Sequence, residues 1–309
     1  MRAATSRPAS LNEEDDIRRL IGVNTWVWTS PLNDDSLSDL AARVASMGFD
    51  AIELPVESPG DWDPYRARDV LAEHRLRPYI VGAMGPTRDL VAASPSEIAD
   101  TQDYLTHCVE VAQIVGAGVV AGPFYSATGR TWRMSKSDRG VLHQQLRSNL
   151  EPVVRLAERS GVALAIEPLN RYETSFINTV QQALDALEPL LGGALGIALD
   201  TYHLNIEEKD IGAAVRSAAG RITHVQVCGN DRGPVGDDHM DWVAFLDALD
   251  AAGYEGALNL ESFTAGNATI ATAASIWRPL AESQDALAQR SLAYLTALQD
   301  TREPSSASG

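Results

Sequence analysis

Two neighbouring stretches of sequence decide the fold: residues 162–168 read VALAIEP, and residues 195–200 read LGIALD. Each stretch is a short apolar run that includes or ends at a carboxylate. A segment with helical hydrophobic periodicity, residues 142–160, precedes the first of them. Short buried strands that alternate with helices are typical of a parallel sheet.

The same unit recurs along the chain. Six further strand-like runs begin at residues 21, 50, 77, 118, 222 and 256 and read IGVNTWVW, DAIELP, RPYIVG, GVVAGP, ITHVQVC and GALNLES. Further helical segments are predicted at residues 37–47, 101–115, 242–252 and 285–298. Eight such units in 309 residues favour closure of the sheet, and no glycine-rich dinucleotide motif follows the first strand. We therefore predict an α/β fold made of a single (β/α)8 TIM barrel.

No linker rich in Pro, Gly or Ser divides the chain, so we expect one catalytic barrel domain at residues 21–300. Residues 1–20 are expected to form a flexible N-terminal segment, and residues 301–309 a disordered tail. The longest connection, residues 125–138, follows the fourth strand and contains Trp132. A loop of this length after a strand is more often functional or mobile than idle.

Composition excludes several classes of protein. No apolar run approaches the roughly 18 to 20 residues of a membrane helix. The amino end lacks the apolar stretch of a secretory signal. We therefore expect a cytoplasmic protein. Cys108 and Cys228 are too few for a disulfide framework, so we expect both to be buried thiols. The net charge of −17 argues against nucleic acid as a partner.

Polar residues stand at the ends of four consecutive strands. Glu167 closes the fifth strand, Asp200 closes the sixth, Gln226 lies in the seventh and Glu261 closes the eighth. Neighbouring strands lie about 4.8 Å apart, so three carboxylates would repel each other unless a cation or protons compensate. We predict one divalent metal ion held by these four residues, with Mn²⁺ as first choice and Co²⁺ or Mg²⁺ as alternatives. Any one acid at a strand end can also simply cap the next helix.

Four motifs carry a resemblance to a known family. IEPLNRYET from Ile166, ALDTYHLNIEE from Ala198, HVQVCGNDRGPVG from His224 and NLESF from Asn259 resemble the motifs of ketose 3-epimerases, the D-tagatose and D-allulose 3-epimerase-like group of the xylose-isomerase-like barrels. The similarity runs from residue 21 to residue 298 and includes IWRPLA from Ile276.

This resemblance implies one bound metal and two glutamates on opposite faces of a sugar. Glu167 and Glu261 would be metal ligands that also act as the catalytic acid/base pair, and Asp200 would be a further ligand. The resemblance implies contacts to substrate oxygens for three other residues: Glu173, His203 and Arg232.

One position departs from the family pattern. Where the family has a metal-binding histidine in an H-x-H pair, this sequence has His224 and then Gln226. A glutamine carbonyl can bind a hard cation, but more weakly than imidazole. His224 faces the same side one layer deeper, and it is either the missing ligand or a hydrogen-bonded core histidine.

The chemistry expected of these residues is proton transfer beside a carbonyl. One glutamate would take the proton and the other would return it from the opposite face, as in a metal-dependent isomerase or epimerase. Two alternatives stay open: a metal-dependent lyase subunit that cleaves 3-oxo-(C-)glycosides, with Trp132 near the aglycone, and a non-catalytic sugar-binding protein. The expected partner is a small-molecule sugar or glycoside. We also expect a homo-oligomer, or a hetero-oligomer with a small subunit if the protein is the lyase.

Overall fold

The barrel is closed. The computed structural model describes residues 18–302, and the parts of the predicted terminal segments at residues 1–17 and 303–309 lie outside the described residues. Eight parallel strands pair in sequence order and β8 pairs with β1, which confirms the predicted (β/α)8 TIM barrel. The strands are β1 (Ile21–Asn24), β2 (Ala51–Val56), β3 (Arg77–Gly82), β4 (Val119–Gly122), β5 (Ala163–Ile166), β6 (Leu195–Asp200), β7 (Ile222–Val227) and β8 (Leu258–Leu260).

Helices cover the outside of the barrel. They are α1 (Asp34–Met47), α2 (Pro64–His74), α3 (Pro95–Val115), α4 (Lys136–Arg159), α5 (Val180–Leu187), α6 (Thr201–Glu207), α7 (Ile211–Ser217), α8 (Trp242–Ala251), α9 (Ala268–Ala273) and α10 (Gln284–Arg302). Among them, no helix of residues 18–302 is both long enough and apolar enough to cross a membrane.

Three helices begin earlier than their apolar periodicity predicts. α1, α3 and α4 each open at a capping box, in which Asn33, Ser94 or Ser135 accepts a hydrogen bond from a backbone N–H of the first turn. Such caps satisfy backbone donors that the helix itself leaves unpaired. The first turn is polar in each case, so hydrophobic periodicity alone misses it.

The two sides of the barrel interior differ in polarity. On β4, β5 and β6, Ala121, Ala165 and Ala198 form a cluster of small side chains. On β2 and β7, Glu53 and His224 are fully buried and contact each other across the interior. Because side chains alternate along a strand, these interior residues lie below the ones that reach the mouth at the strand ends.

Closure of the barrel depends on a glycine. In the pairing of β1 with β8, Gly22 lies opposite Asn259. A Cβ atom at residue 22 would lie 2.0 Å from the Asn259 Oδ1 atom. Only glycine therefore leaves room for the Asn259 amide between these two strands.

A buried arginine ties the beginning of the described chain to its end. The Arg19 backbone N–H donates to Gln299 Oε1 at 2.8 Å, and its guanidinium donates to the Tyr254 carbonyl and to Asp250. Arg19 is 3% exposed, although it belongs to the segment predicted to be flexible. The cysteines are both buried and free, as expected of buried thiols.

Candidate active site

Three carboxyl groups meet at the mouth of the barrel. Glu167 directly follows β5, Asp200 is the last residue of β6 and Glu261 directly follows β8. Their exposures are 6%, 1% and 4%. The parallel strands end at the same rim, so residues far apart in sequence are brought into one small buried volume.

His203 completes a compact group with two of these acids. It lies in the first turn of α6, which the Asp200 side chain caps by accepting a hydrogen bond from the Tyr202 N–H. Candidate ligand atoms of Glu167, Asp200 and His203 all lie within 4.8 Å of one another. His203 Nδ1 accepts from the Asn170 backbone N–H at 3.0 Å, so a neutral ring carries its proton on Nε2, 3.3 Å from Glu167.

Arg232 bridges Asp200 and Glu261. Its Nη1 atom lies 2.5 Å from Asp200 Oδ2 and 2.9 Å from Glu261 Oε2. The guanidinium lies 4.1 Å from the ring centre of Tyr202 and 5.1 Å from that of Phe263. Its backbone has a φ of 69°, held by a turn that follows β7. A fixed positive charge thus lies at the edge of the cluster formed by the three carboxyls.

Burial and this charge set the proton affinities of the three acids. Burial raises the pKa of Glu261 well above its usual value and also raises the pKa of Glu167. Burial acts in the same direction on Asp200, but Arg232 and His203 outweigh it and hold the pKa of that carboxyl below its usual range. The protonated form is therefore favoured for Glu167 and Glu261, and the ionised form is favoured for Asp200.

Gln226 connects the mouth with the interior. Its Nε2 atom donates to Glu261 Oε1 at 2.7 Å and to Glu53 Oε2 at 3.1 Å. Its Oε1 atom is buried and has no hydrogen-bond partner among residues 18–302. An unpaired buried carbonyl oxygen is rare, because its burial costs free energy unless a partner such as a cation or a water molecule binds it.

Glu53 is the site residue that sequence reasoning missed. It accepts from the Asn24 Nδ2 atom at 2.8 Å, and His224 Nε2 lies 2.5 Å from its other oxygen. His224 therefore faces Glu53 and lies outside the group of candidate metal ligands, as a hydrogen-bonded core histidine does. The sequence signal for Glu53 was its position in the middle of the apolar run DAIELP. It lies two residues from Ala51, so both side chains face the barrel interior.

Glu173 and Trp132 belong to the loops around the mouth. Glu173 is half-buried and accepts from the Asn170 Nδ2 atom at 2.7 Å, next to His203. Trp132 stacks on Phe176 with ring centres 6.2 Å apart, and its backbone exchanges hydrogen bonds with the Ser175 hydroxyl. The loop that follows β4 is thus fastened to the loop that follows β5.

Two further aromatic residues that follow barrel strands, Phe124 and Trp26, differ in their surroundings. Phe124 is fully buried and packs against Gly82 and Gly122, so it is a core residue. Trp26 is 8% exposed and lies 5.6 Å from the ring of Phe263, the same ring that packs on the Arg232 guanidinium.

The arrangement has the parts that proton transfer requires. Two buried carboxyls with raised pKa values can donate and accept protons, and the intervening Asp200 and Arg232 keep a charged pair beside them. Deep burial strengthens each of these electrostatic interactions.

Comparison with known proteins places this architecture in a family. The pattern of the xylose isomerase-like TIM barrel family matches residues 41–297. A ketose 3-epimerase of Arthrobacter globiformis is 30% identical over 280 residues, which cover 89% of this chain and 95% of that protein. An L-ribulose 3-epimerase of Mesorhizobium japonicum is 30% identical over 277 residues, which cover 89% and 92%. A solved structure of an L-ribulose 3-epimerase superposes with a TM-score of 0.84 at 29% identity, covering 92% of this chain and 95% of the other. The chain belongs to the xylose isomerase-like TIM barrel family.

Proposed function

We propose that this protein is a metal-dependent sugar epimerase of the ketose 3-epimerase kind. The observation that carries the proposal is the convergence of two buried glutamates, Glu167 and Glu261, whose pKa values burial raises. An acid with a raised pKa exchanges protons more readily near neutral pH. The relatives named ketose 3-epimerase and L-ribulose 3-epimerase support the proposal, since they align over most of both chains.

The residues at the mouth fit a hard divalent cation. Glu167 and Asp200 offer oxygen atoms close together, and Gln226 offers a buried oxygen that has no partner in the described chain. We propose that these three residues and Glu261 hold one ion, Mn²⁺ in the first place and Co²⁺ or Mg²⁺ in the second. When bound, the ion supplies positive charge that stabilises negative charge developing on the substrate's carbonyl oxygen.

The remaining catalytic and substrate-binding roles belong to the protein's own side chains. Glu167 and Glu261 approach the carbon beside the carbonyl from opposite faces, so that one removes its proton and the other returns a proton and inverts the centre. Arg232 adds a fixed positive charge for a substrate oxygen. His203 donates from Nε2–H to another oxygen, and Glu173 accepts from a sugar hydroxyl.

Heavy water tests the proton transfer directly. With a panel of free ketoses, the epimerised product should carry deuterium at the inverted carbon. Glu167→Gln and Glu261→Gln should each reduce turnover by about 100-fold or more, the scale of lost general acid/base catalysis. Glu151→Gln is the matched control, because Glu151 lies on the surface of α4 and, among residues 18–302, forms a salt bridge with Arg155 only. Epimerised product without deuterium would contradict the mechanism.

The same assay distinguishes the lyase. A lyase would leave free ketoses unchanged and release an aglycone from a 3-oxo-glycoside, with a slower rate on bulky aglycones in a Trp132→Ala variant. Release of an aglycone without any epimerised ketose would replace the proposal by that alternative. Neither reaction from metal-loaded protein would favour a sugar-binding role. We further propose that residues 21–300 act as one catalytic domain within a homo-oligomer.

A further inference from the structure

A directional chain of hydrogen bonds runs under the mouth. It starts at the end of β1, where the Asn24 Oδ1 atom accepts the Trp26 backbone N–H at 2.8 Å. This contact fixes the orientation of the Asn24 amide, so its Nδ2 atom faces Glu53 Oε2, 2.8 Å away. A backbone group thereby determines that Glu53 Oε2 is an acceptor.

The same oxygen of Glu53 fixes the Gln226 amide. Gln226 Nε2 lies within hydrogen-bond distance of Glu53 Oε2 and of Glu261 Oε1. Rotating the amide by 180° would place its carbonyl oxygen against Glu53 Oε2, which already accepts from Asn24. The nitrogen must therefore face the two carboxyls, and the oxygen must face away from them, where it is buried and unpaired within the described chain.

The buried carboxyl at residue 53 has Gln226 as a hydrogen-bond partner beside Asn24 and His224. The position is fully buried, and burying a carboxyl lowers stability unless several partners compensate. Other inward positions of the barrel are filled by alanine, including Ala121, Ala165 and Ala198. Glu53 instead lies beside Gln226. The flexible amide of Gln226, unlike a rigid imidazole, needs a hydrogen-bond partner to fix its orientation.

We propose that Glu53 is a positioning residue that holds the Gln226 amide so that its nitrogen fixes Glu261 and its oxygen is presented to the metal ion. This inference rests on the proposed function, because it assumes that an ion binds at the mouth. His224 completes the arrangement by occupying the second oxygen of Glu53. Glu53 itself touches neither the ion nor the substrate.

Replacement of Glu53 by methionine tests the proposal, because methionine keeps the length of the side chain but accepts no comparable hydrogen bond. In chelator-treated protein titrated with Mn²⁺ in a calorimeter, E53M should weaken the metal affinity by about 10- to 100-fold, the range found for partners of metal ligands. E53Q should restore affinity to within about threefold, since its amide oxygen still accepts from Gln226 and its NH₂ can donate to His224 Nε2. E57M is the matched control, because Glu57 bonds Trp26 and Ser30 instead of Gln226.

The visible absorption spectrum of the Co²⁺-loaded protein supplies a readout that a merely structural role would not move. The spectrum of E53M should match that of Q226A, because both remove the same ligand oxygen. In a Q226A background, E53M should weaken Co²⁺ binding no further, as expected of two residues that act as one unit. A wild-type spectrum for E53M, or full additivity of the two changes, would overturn the assignment.

Two outcomes separate this inference from the proposed function. If the wild-type protein binds none of Mn²⁺, Co²⁺ and Mg²⁺, both are wrong. If the wild type binds and folded E53M binds equally well, only the role of Glu53 is wrong. Should E53M fail to fold, E53D replaces it: the carboxyl is retained but withdrawn from Gln226 by one methylene. E53D should also weaken Mn²⁺ binding, and unchanged affinity in that variant would overturn the assignment.

Discussion

Replacing Arg232 by methionine removes the positive charge between two buried carboxyls and leaves most of the packing. The guanidinium lies 2.5 Å from Asp200 and 2.9 Å from Glu261, and its plane packs near the rings of Tyr202 and Phe263. Methionine keeps the aliphatic stem against these rings. The backbone at residue 232 already has a positive φ with a non-glycine residue, so this strain is the same in both proteins.

The expected loss of stability is large in metal-free protein. Removing one partner of a buried ion pair lowers the free energy of unfolding by about 3–5 kcal/mol, because the remaining charge is left uncompensated. In a chain of this size each kcal/mol shifts Tm by roughly 2 °C, so the Tm of R232M should fall by about 6–10 °C. Saturating Mn²⁺ should raise the Tm of the variant more than that of the wild type, since the ion then supplies the missing charge.

The loss should also depend on pH. In the wild type Arg232 holds the pKa of Asp200 low, so this contribution is present above the unfolded pKa of about 3.9 and is lost only as pH falls below that region. Without Arg232, we expect burial to outweigh the opposing effect of His203 and to raise the pKa of Asp200, as burial already does for Glu261. A raised carboxyl pKa gives stability at low pH that is lost as pH rises, so the variant should differ less from the wild type at pH 5 than at pH 8.

Calorimetric melting of chelator-treated protein at these two pH values measures both effects. R232K serves as the control, because lysine retains a charge without the planar guanidinium that packs near Tyr202 and Phe263, and should fall between the wild type and R232M. If R232M melts within about 1 °C of the wild type at pH 8, the bridge contributes no net stability and the reasoning behind it is wrong.

Three further results are expected. Chelation should abolish epimerase activity and Mn²⁺ should restore it, while an ion concentration of about 100 Kd should stabilise the fold by about 2.7 kcal/mol; full turnover after thorough chelation would disprove metal dependence. Gln226→His should keep or tighten Mn²⁺ affinity in calorimetric titration, because imidazole is the stronger ligand, and a clear weakening would count against Gln226 as a ligand. Gly22→Ala should lower the free energy of unfolding by about 1–3 kcal/mol in urea titrations, because its Cβ would meet the Asn259 Oδ1 atom. Gly85→Ala, which would meet no atom within 4 Å, is the control, and equal stability of the two variants would refute the clash.

The strands were predictable because their apolar runs are short and regularly spaced. β3 (Arg77–Gly82) and β6 (Leu195–Asp200) occupy the predicted positions. The first run was predicted to continue to residue 28, but β1 ends at Asn24, whose side chain accepts the Trp26 N–H and starts a 3-10 turn. Hydrophobicity continues through that turn because Trp26 and Val27 are buried there, so a pattern of hydrophobicity cannot mark where the strand stops.

The mouth was partly predictable for a similar reason. Glu167, Asp200 and Glu261 interrupt or end apolar runs at the rim, and the structure brings them together; their action as ligands and catalysts stays a prediction. Glu53 was not predicted because it lies within an apolar run instead of at its end. Its partners His224 and Gln226 are 171 and 173 residues away in sequence. Contacts across a barrel interior are set by closure and strand stagger, which a local sequence pattern does not contain.

The tie between Arg19 and Gln299 has a practical consequence. Both residues lie at the end of the barrel where the strands begin, and the candidate active site lies at the opposite end. Attachment of the protein to a solid support through residues near either of them would leave the mouth facing the solution. The same proximity suits circular permutation, since a short peptide could join residues 18 and 302 while new ends are opened in an exposed connection such as the one that contains Gly60.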